Sequence, residues 1–584
     1  MKKRYVLIPT LLIVVFISLR STPRRPKWLE KILSDITIMI EKVEEGLEDL
    51  ALQTAKIATK AFKKRIKKKQ FAISKNPYRE TGAAVRRGGA MSVQEEAFLS
   101  SRRVVTRRAL EQFIGFQLPV DVPAMDVYLS FSGGGNRSAI YSWSFLATLE
   151  DIGLLGTATH LSTLSGSAWS VWPWLVSQNS LEQHKEVLFS AIQNGPKLRS
   201  PSDVKGIVDV VLRDITYDRD INFATFYGTA IGSIFFHGLG EYNDSQMVWM
   251  DMMQRQLDNA STPYPILTFL SVPDGRRWTV TPHEFGCPGL GFFVPEWAAG
   301  RIFKGGRSVG TTPYADRVSL ARWVGDSSLA PGASFKEVFD HMFSSMKIGP
   351  VKKILKNLMT QSPLERIRFI YSKRFNFMYG MPGLPAYDTK KGITYSNQKE
   401  LKFTELGVIT GNPVTCLLQR MALNNRPSIL IICDASTTVG VSDLSKIKDY
   451  ADGHNPDGEK LPFPDLPQDT ASLGVQSISS LSDENMLVVY MPRVKNSDDV
   501  EQKKNDPRFA GLIQKIGYSI DDRLKKAYHT YNLKYNRQQM EELAALAEFN
   551  VLANEENLRR VIQEYVLGHL EKTHPDYVRK IRVA

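Results

Sequence analysis

Hydrophobic and polar positions follow three different patterns along this 584-residue chain. The first is a predominantly apolar run, Tyr5 to Leu19, preceded by Lys2-Lys3-Arg4 and interrupted by Pro9. As a helix its fifteen residues rise about 22 Å, short of a ~30 Å hydrocarbon core. Arg4 and Arg20 flank the run, where snorkelling extends its reach. Leu19-Arg20-Ser21 offers no small-x-small cleavage site. Residues 1–27 therefore read as an uncleaved membrane anchor, the alternative being an export signal that is removed. Positive flanks on both sides leave its orientation open.

The second pattern is a heptad seam: Leu29, Leu33, Ile36, Ile40, Val43, Leu47, Leu50, Thr54, Ile57 and Ala61 alternate spacings of four and three. It predicts a long amphipathic, coiled-coil-like helix over 28–72. Either the seam at 29–61 self-associates, or the helix packs on its own catalytic domain. Gly46 weakens it in the middle. Its end is the basic cluster Lys63 to Lys69, which near a membrane attracts anionic lipid. Residues 73–110, rich in Ser, Gly and Arg, read as a basic linker.

The third pattern fills residues 111–584. Short apolar runs precede turns and helical periodicity: Val127 to Phe131, His160 to Leu164, and Ile429 to Cys433. Such runs read as buried strands. Their alternation with helices predicts a three-layer α/β/α sandwich around a central, mostly parallel sheet. Nearly 270 residues separate Ser165 from Asp434, room for a lid or cap insertion. Phe377-Met378-Tyr379 within it either meets lipid or joins the core. Val500 to Ala584 reads as helical.

Charge sharpens this division. The net charge is +14, but residues 1–110 hold 25 basic against 10 acidic residues and the remainder 50 against 51. The domain beyond residue 110 is thus neutral, and nucleic-acid binding by it has no support. The positive arm suits an anionic membrane surface. Three cysteines, Cys287, Cys416 and Cys433, make neither a disulfide framework nor a zinc spacing. No EF-hand loop is present, and neither metal nor cofactor is expected.

Candidate chemistry sits at two strand-to-helix turns. Ser132-Gly133-Gly134-Gly135-Asn136-Arg137 leaves backbone N–H groups converging at the positive end of a helix, which suits an oxyanion or a phosphate. No Gly-Lys-Ser/Thr follows, so it is not a P-loop. Ser138 stands where a dinucleotide fingerprint has its third glycine. One helix later, Thr163-Leu164-Ser165-Gly166-Ser167 has the layout of a nucleophile elbow. An oxyanion loop beside an exposed serine supplies the parts of acyl transfer. Arg137, unfavourable beside a positive helix end unless an anion is present, points to an anionic headgroup.

These motifs resemble the catalytic core of the cytosolic phospholipase A2 and fungal lysophospholipase B family of patatin-related acyl hydrolases. Trp278 to Gly286 is similar to that family's aromatic-x-x-Thr-Pro-Tyr-Glu-x-Gly segment. Phe293-Val294-Pro295 resembles the piece that follows, and Ile431 to Ser436 the strand that delivers the catalytic aspartate. The resemblance implies a serine acyl hydrolase acting on phospholipid or lysophospholipid esters. It makes Ser165 the nucleophile, Asp434 its base, Gly134 and Gly135 the oxyanion-hole donors, and Arg137 the phosphate ligand. Two positions depart from it: Thr163 replaces the elbow's first glycine, and the spacing around Gly411-Asn412-Pro413 is one residue short.

Without the family, a serine still needs a base. A Ser-Asp dyad fits the closeness of the two turns. A triad in the order Ser-Asp-His remains formally open through His454, His529, His569 or His574. The competing functions are a patatin-like lipase or esterase, and a membrane-tethered, catalytically degenerate scaffold, for which Thr163 is the best argument.

Overall fold

The computed structural model describes residues 77–194 except 79 and 90, 232–239 except 233, 248–309, 317–329, 371–436 except 425, 443–516 except 471 and 496, and 528–583 except 529, 531 and 533. The apolar run from Tyr5, the seam at 29–61 and His529 lie outside these. Among the described residues no helix is long and apolar enough to cross a membrane.

Five parallel strands make the centre of a 12-stranded sheet. In chain order we label β1 Asp126–Phe131, β2 Ala158–Thr163, β3 Tyr264–Val272, β4 Glu400–Thr404, β5 Ser428–Asp434 and β6 Met486–Pro492. The parallel order is β3-β2-β1-β5-β6. Antiparallel strands continue the sheet on both sides, and β4 pairs antiparallel with the end of β3.

Both faces of the parallel strands are buried, because both are covered. In β5, Ile429, Ile431 and Cys433 join one core, while Leu430 and Ile432 join the other. β1 divides likewise, with Val127, Leu129 and Phe131 facing away from Tyr128. Helices Asn136–Asp151 (α2), Gly166–Ser177 (α3) and Arg537–Leu552 (α5) cover the first face. Helix Val414–Asn424 (α4) covers the second. The three-layer α/β/α expectation holds.

The expected linker needs one correction. Its second half is helix α1, Val93–Ile114, capped by Ser92, whose hydroxyl accepts from Glu95 N–H. Phe98, Leu99, Leu110 and Phe113 bury apolar surface on the domain, and Arg102 is buried with its guanidinium donating to Ala158 O and Ala260 O. The basic composition that suggested a solvated linker came partly from an arginine used inside the fold. Phe377 and Met378 are core residues: Phe377 packs edge-on against Trp278 and Phe285.

Candidate active site

Three strand ends stop at one level. In register, Cys433 lies beside Phe131, Phe131 beside Thr163, and Thr163 beside Leu267. The turns leaving β5, β1 and β2 therefore emerge together at the carboxyl edge of the parallel strands, where open α/β sheets form their sites.

Ser165 occupies the elbow between β2 and α3, with φ 54° and ψ −120°. A non-glycine residue there costs about 1–3 kcal/mol and persists only when its surroundings hold it. Ser167 does so: its hydroxyl accepts from Leu164 N–H at 3.0 Å and lies 3.1 Å from Phe131 O. Gly166 has to be glycine, because a Cβ would run into the Gly135 carbonyl. That close approach brings the elbow against the glycine loop. Thr163 fits without strain. It ends β2 in extended backbone, which suits a branched Cβ, and its hydroxyl accepts from Trp172 Nε1 at 2.8 Å.

The glycine loop is pinned on one side and open on the other. Ser132 N–H donates to Cys433 O at 3.1 Å and Gly133 N–H to Gly411 O at 2.8 Å. The N–H groups of Gly134 and Gly135 have no acceptor among the described residues. They stand at the start of α2, the arrangement that favours an anion. The loop around Asn412, where the spacing departs, is tied in by Ser130 Oγ donating to Asn412 Oδ1 at 2.5 Å.

Asp434, at the tip of β5, is buried. One carboxylate oxygen accepts from Tyr490 OH at 2.6 Å, the other from Ser436 N–H at 2.9 Å and from the Ser436 hydroxyl. No hydrogen bond joins it to Ser165 among the described residues. Its strand stands two places from β2, about 10 Å at the usual strand spacing. Arg137 is also buried, its Nε donating to Ala435 O at 2.6 Å and Nη1 to Tyr528 O at 2.7 Å. Burial, and then the neighbouring Arg493, pull its pKa down to about 9. Arg493 is itself buried, and its Nε and Nη1 have no hydrogen-bond partner among the described residues. Two guanidiniums share this corner with one aspartate, a charge balance that an added phosphate improves.

The sequence reading missed three residues here: Tyr490, Arg493 and Glu405. Glu405 follows β4 and is buried, and its Oε2 has no hydrogen-bond partner among the described residues. Burial pushes its carboxyl up to about 8, opposed by the neighbouring Ser165 hydroxyl. The available signal was an acid enclosed by Phe403 and Leu406 at a strand end.

Of the histidines considered for a triad, His454 pairs with Asp449 and His574 with Asp121, both at the surface. Among the described residues no cluster of His, Cys, Asp and Glu is arranged to hold a metal. The three cysteines are buried and free.

The chain spans about three-fifths of the length of the first curated relatives it matches. It is 22% identical to human (Homo sapiens) cytosolic phospholipase A2 zeta over 546 residues, covering 82% of this chain and 62% of that protein. It is 26% identical to mouse (Mus musculus) cytosolic phospholipase A2 gamma over 238 residues, covering 38% of this chain and 37% of that protein. Among solved structures, human GIVD cytosolic phospholipase A2 shares the fold with a TM-score of 0.65 at 18% identity, covering 83% of this chain and 68% of that one. Residues 127–362 match the lysophospholipase catalytic domain model, and the chain is similar to the cytosolic phospholipases A2.

Proposed function

We propose that this protein hydrolyses fatty-acyl esters of phospholipids or lysophospholipids through an acyl-serine intermediate. The observation that carries the reading is the contact between two turns: a strained Ser165 elbow against a glycine loop whose Gly134 and Gly135 N–H groups are unspent. Ser165 Oγ attacks the ester carbonyl and its proton passes to Asp434. The oxyanion is stabilised by Gly134 and Gly135. Collapse expels the lysolipid or glycerol alkoxide, which takes up that proton. Water then attacks the acyl-serine, returns a proton to Ser165 and releases the fatty acid. Arg137, with Arg493 beside it, suits the substrate phosphate.

A serine-directed fluorophosphonate tests this directly. One solved neighbour is in complex with methyl gamma-linolenyl fluorophosphonate. The probe should label Ser165 of this chain and leave Ser165→Ala unlabelled. Ser165→Ala and Asp434→Asn should each abolish lysophospholipid hydrolysis while the fold is kept, and His529→Ala should leave activity measurable. A His529 variant as inactive as Ser165→Ala would replace the dyad by a triad. Labelling elsewhere, or none with a folded protein, would favour the degenerate scaffold.

Delivery to the membrane is assigned to residues 1–110. The charge split supports this, since that arm holds the whole positive excess. A chain beginning at about residue 25 should bind anionic vesicles at low salt and release them as the Debye length shortens below about 8 Å. Salt-independent binding to neutral vesicles would move targeting to the catalytic domain.

A further inference from the structure

The geometry points to Glu405 as a positioning residue for the nucleophile: its carboxylic acid donates a hydrogen bond to Ser165 Oγ and thereby turns the serine's own proton toward Asp434. This rests on Ser165 being the nucleophile.

The strand pairings place Glu405 in line with the elbow. Leu267 of β3 pairs with Thr163 on one edge and Val280 on the other. Leu270 pairs with Arg277 and, on its opposite edge, with Thr404. β4 therefore takes up the edge of β3 that β2 leaves, and its next residue, Glu405, comes down ahead of Ser165. Side-chain contacts agree. A Cβ placed on Gly133 would sit 3.2 Å from Ser165 Cβ and 3.4 Å from Glu405 Oε1, so that glycine keeps the space both share. Asp434 lies two strands to the side. The two carboxyl groups thus lie in different directions from the elbow.

Their surroundings give them different work. Asp434 is held by Tyr490 and Ser436. Leu164 of the elbow lies beside Glu405 and belongs to an apolar cluster with Leu270 of β3, Leu406, and Cys416 of α4. The titratable member of that group, the Cys416 thiol, is itself pushed up to about 12 by burial and stays neutral. The one group that favours the ionised form of Glu405 is the Ser165 hydroxyl. A carboxyl so placed is protonated at neutral pH. It then has an O–H to donate, and Ser165 Oγ is its neighbour. Ionised, it has none. It would instead accept the Ser165 proton, turning it from Asp434, and would set a negative charge beside the forming oxyanion. Activity should therefore fall as pH rises past about 8.

The test compares wild-type protein with Glu405→Gln and Glu405→Leu on a dispersed lysophospholipid across pH, with fluorophosphonate labelling of Ser165 alongside. The amide of Glu405→Gln donates but does not ionise. It should keep wild-type kcat at pH 7 within a few-fold and lose the alkaline fall. Glu405→Leu donates nothing, and its kcat should drop about tenfold at unchanged KM, the worth of one hydrogen bond. If Glu405→Gln retains the same alkaline fall, another group ionises and the proposal is wrong. If it is as inactive as Ser165→Ala at every pH while still folded, Glu405 is the base and not a positioning residue. Should Glu405→Leu fail to fold, the Glu405→Gln profile decides alone. Absence of Ser165 labelling in the wild type would overturn the proposed function itself, separately from these outcomes.

Discussion

Two glutamates are buried in this molecule and behave in opposite ways. Glu95 of α1 sits beneath the strands and is held down to about 2: burial opposes its charge, but Arg420 of α4 and then His160 overcome it. Glu405 sits at the carboxyl edge and is pushed up to about 8, with no cation to offset burial. The amino acid and the depth of burial are the same, so the partner decides. A structural acid has its charge matched by a guanidinium. The acid beside Ser165 is left without one, the arrangement by which sites tune proton chemistry near neutral pH.

The strongest way to break this comparison is to remove the cation. Arg420→Met should strand the Glu95 carboxylate in the interior and cost about 3–5 kcal/mol of stability in urea unfolding. The double variant Glu95→Gln/Arg420→Met should recover much of that, because no unpaired charge is then left. A single variant as stable as wild type would show that Glu95 simply protonates, and the contrast with Glu405 would vanish.

A second measurement uses pH. Glu405 is protonated in the fold while its unfolded counterpart ionises above about 4.5. Between about 4.5 and 8 the folded state thus binds the extra proton, and stability falls as pH rises, by at most about 1.4 kcal/mol per unit. Glu95 has the reverse sign: its contribution is full above about 4.5 and is lost as pH falls toward 2. Unfolding of Glu405→Gln relative to wild type should therefore show a gap that grows from pH 5 to pH 8. A gap that does not change with pH would mean Glu405 carries its charge in the fold.

How much of this was legible in the sequence follows from the range of the interactions. The parallel strands, the two turns and the helical close are local patterns, and Val127–Phe131 or Ile429–Cys433 announces itself by apolar continuity. α1 was hidden because its basic residues looked solvated, whereas Arg102 is folded inward onto the carbonyls of Ala158 and Ala260. The Glu405 site was hidden for a different reason. It depends on β4 returning antiparallel to occupy the edge of β3 that β2 vacates, a pairing between segments some 130 residues apart with no signature of its own. Ser165, Gly134 and Gly135 lie on turns that a few neighbouring residues specify. Arg493 and Tyr490 reach Asp434 only because β6 lies beside β5.

Tyr490 gives the smallest expected effect and the finest test of the division between the two carboxyl groups. Its hydroxyl donates to Asp434 at 2.6 Å inside the fold, and that bond fixes the carboxylate's orientation at the tip of β5. Tyr490→Phe removes the donor without removing the ring, which packs with Leu430 and Ile432. The loss is one buried hydrogen bond to a charged group, nominally about 1.5–3 kcal/mol. The bonds from Ser436 remain and keep the effect near the low end, about tenfold in kcat with KM little changed. The alkaline fall assigned to Glu405 should stay where it was, because Tyr490 acts on the other carboxyl. If Tyr490→Phe moves that alkaline fall, the two carboxyl groups do not act separately, and the division of their roles would have to be given up.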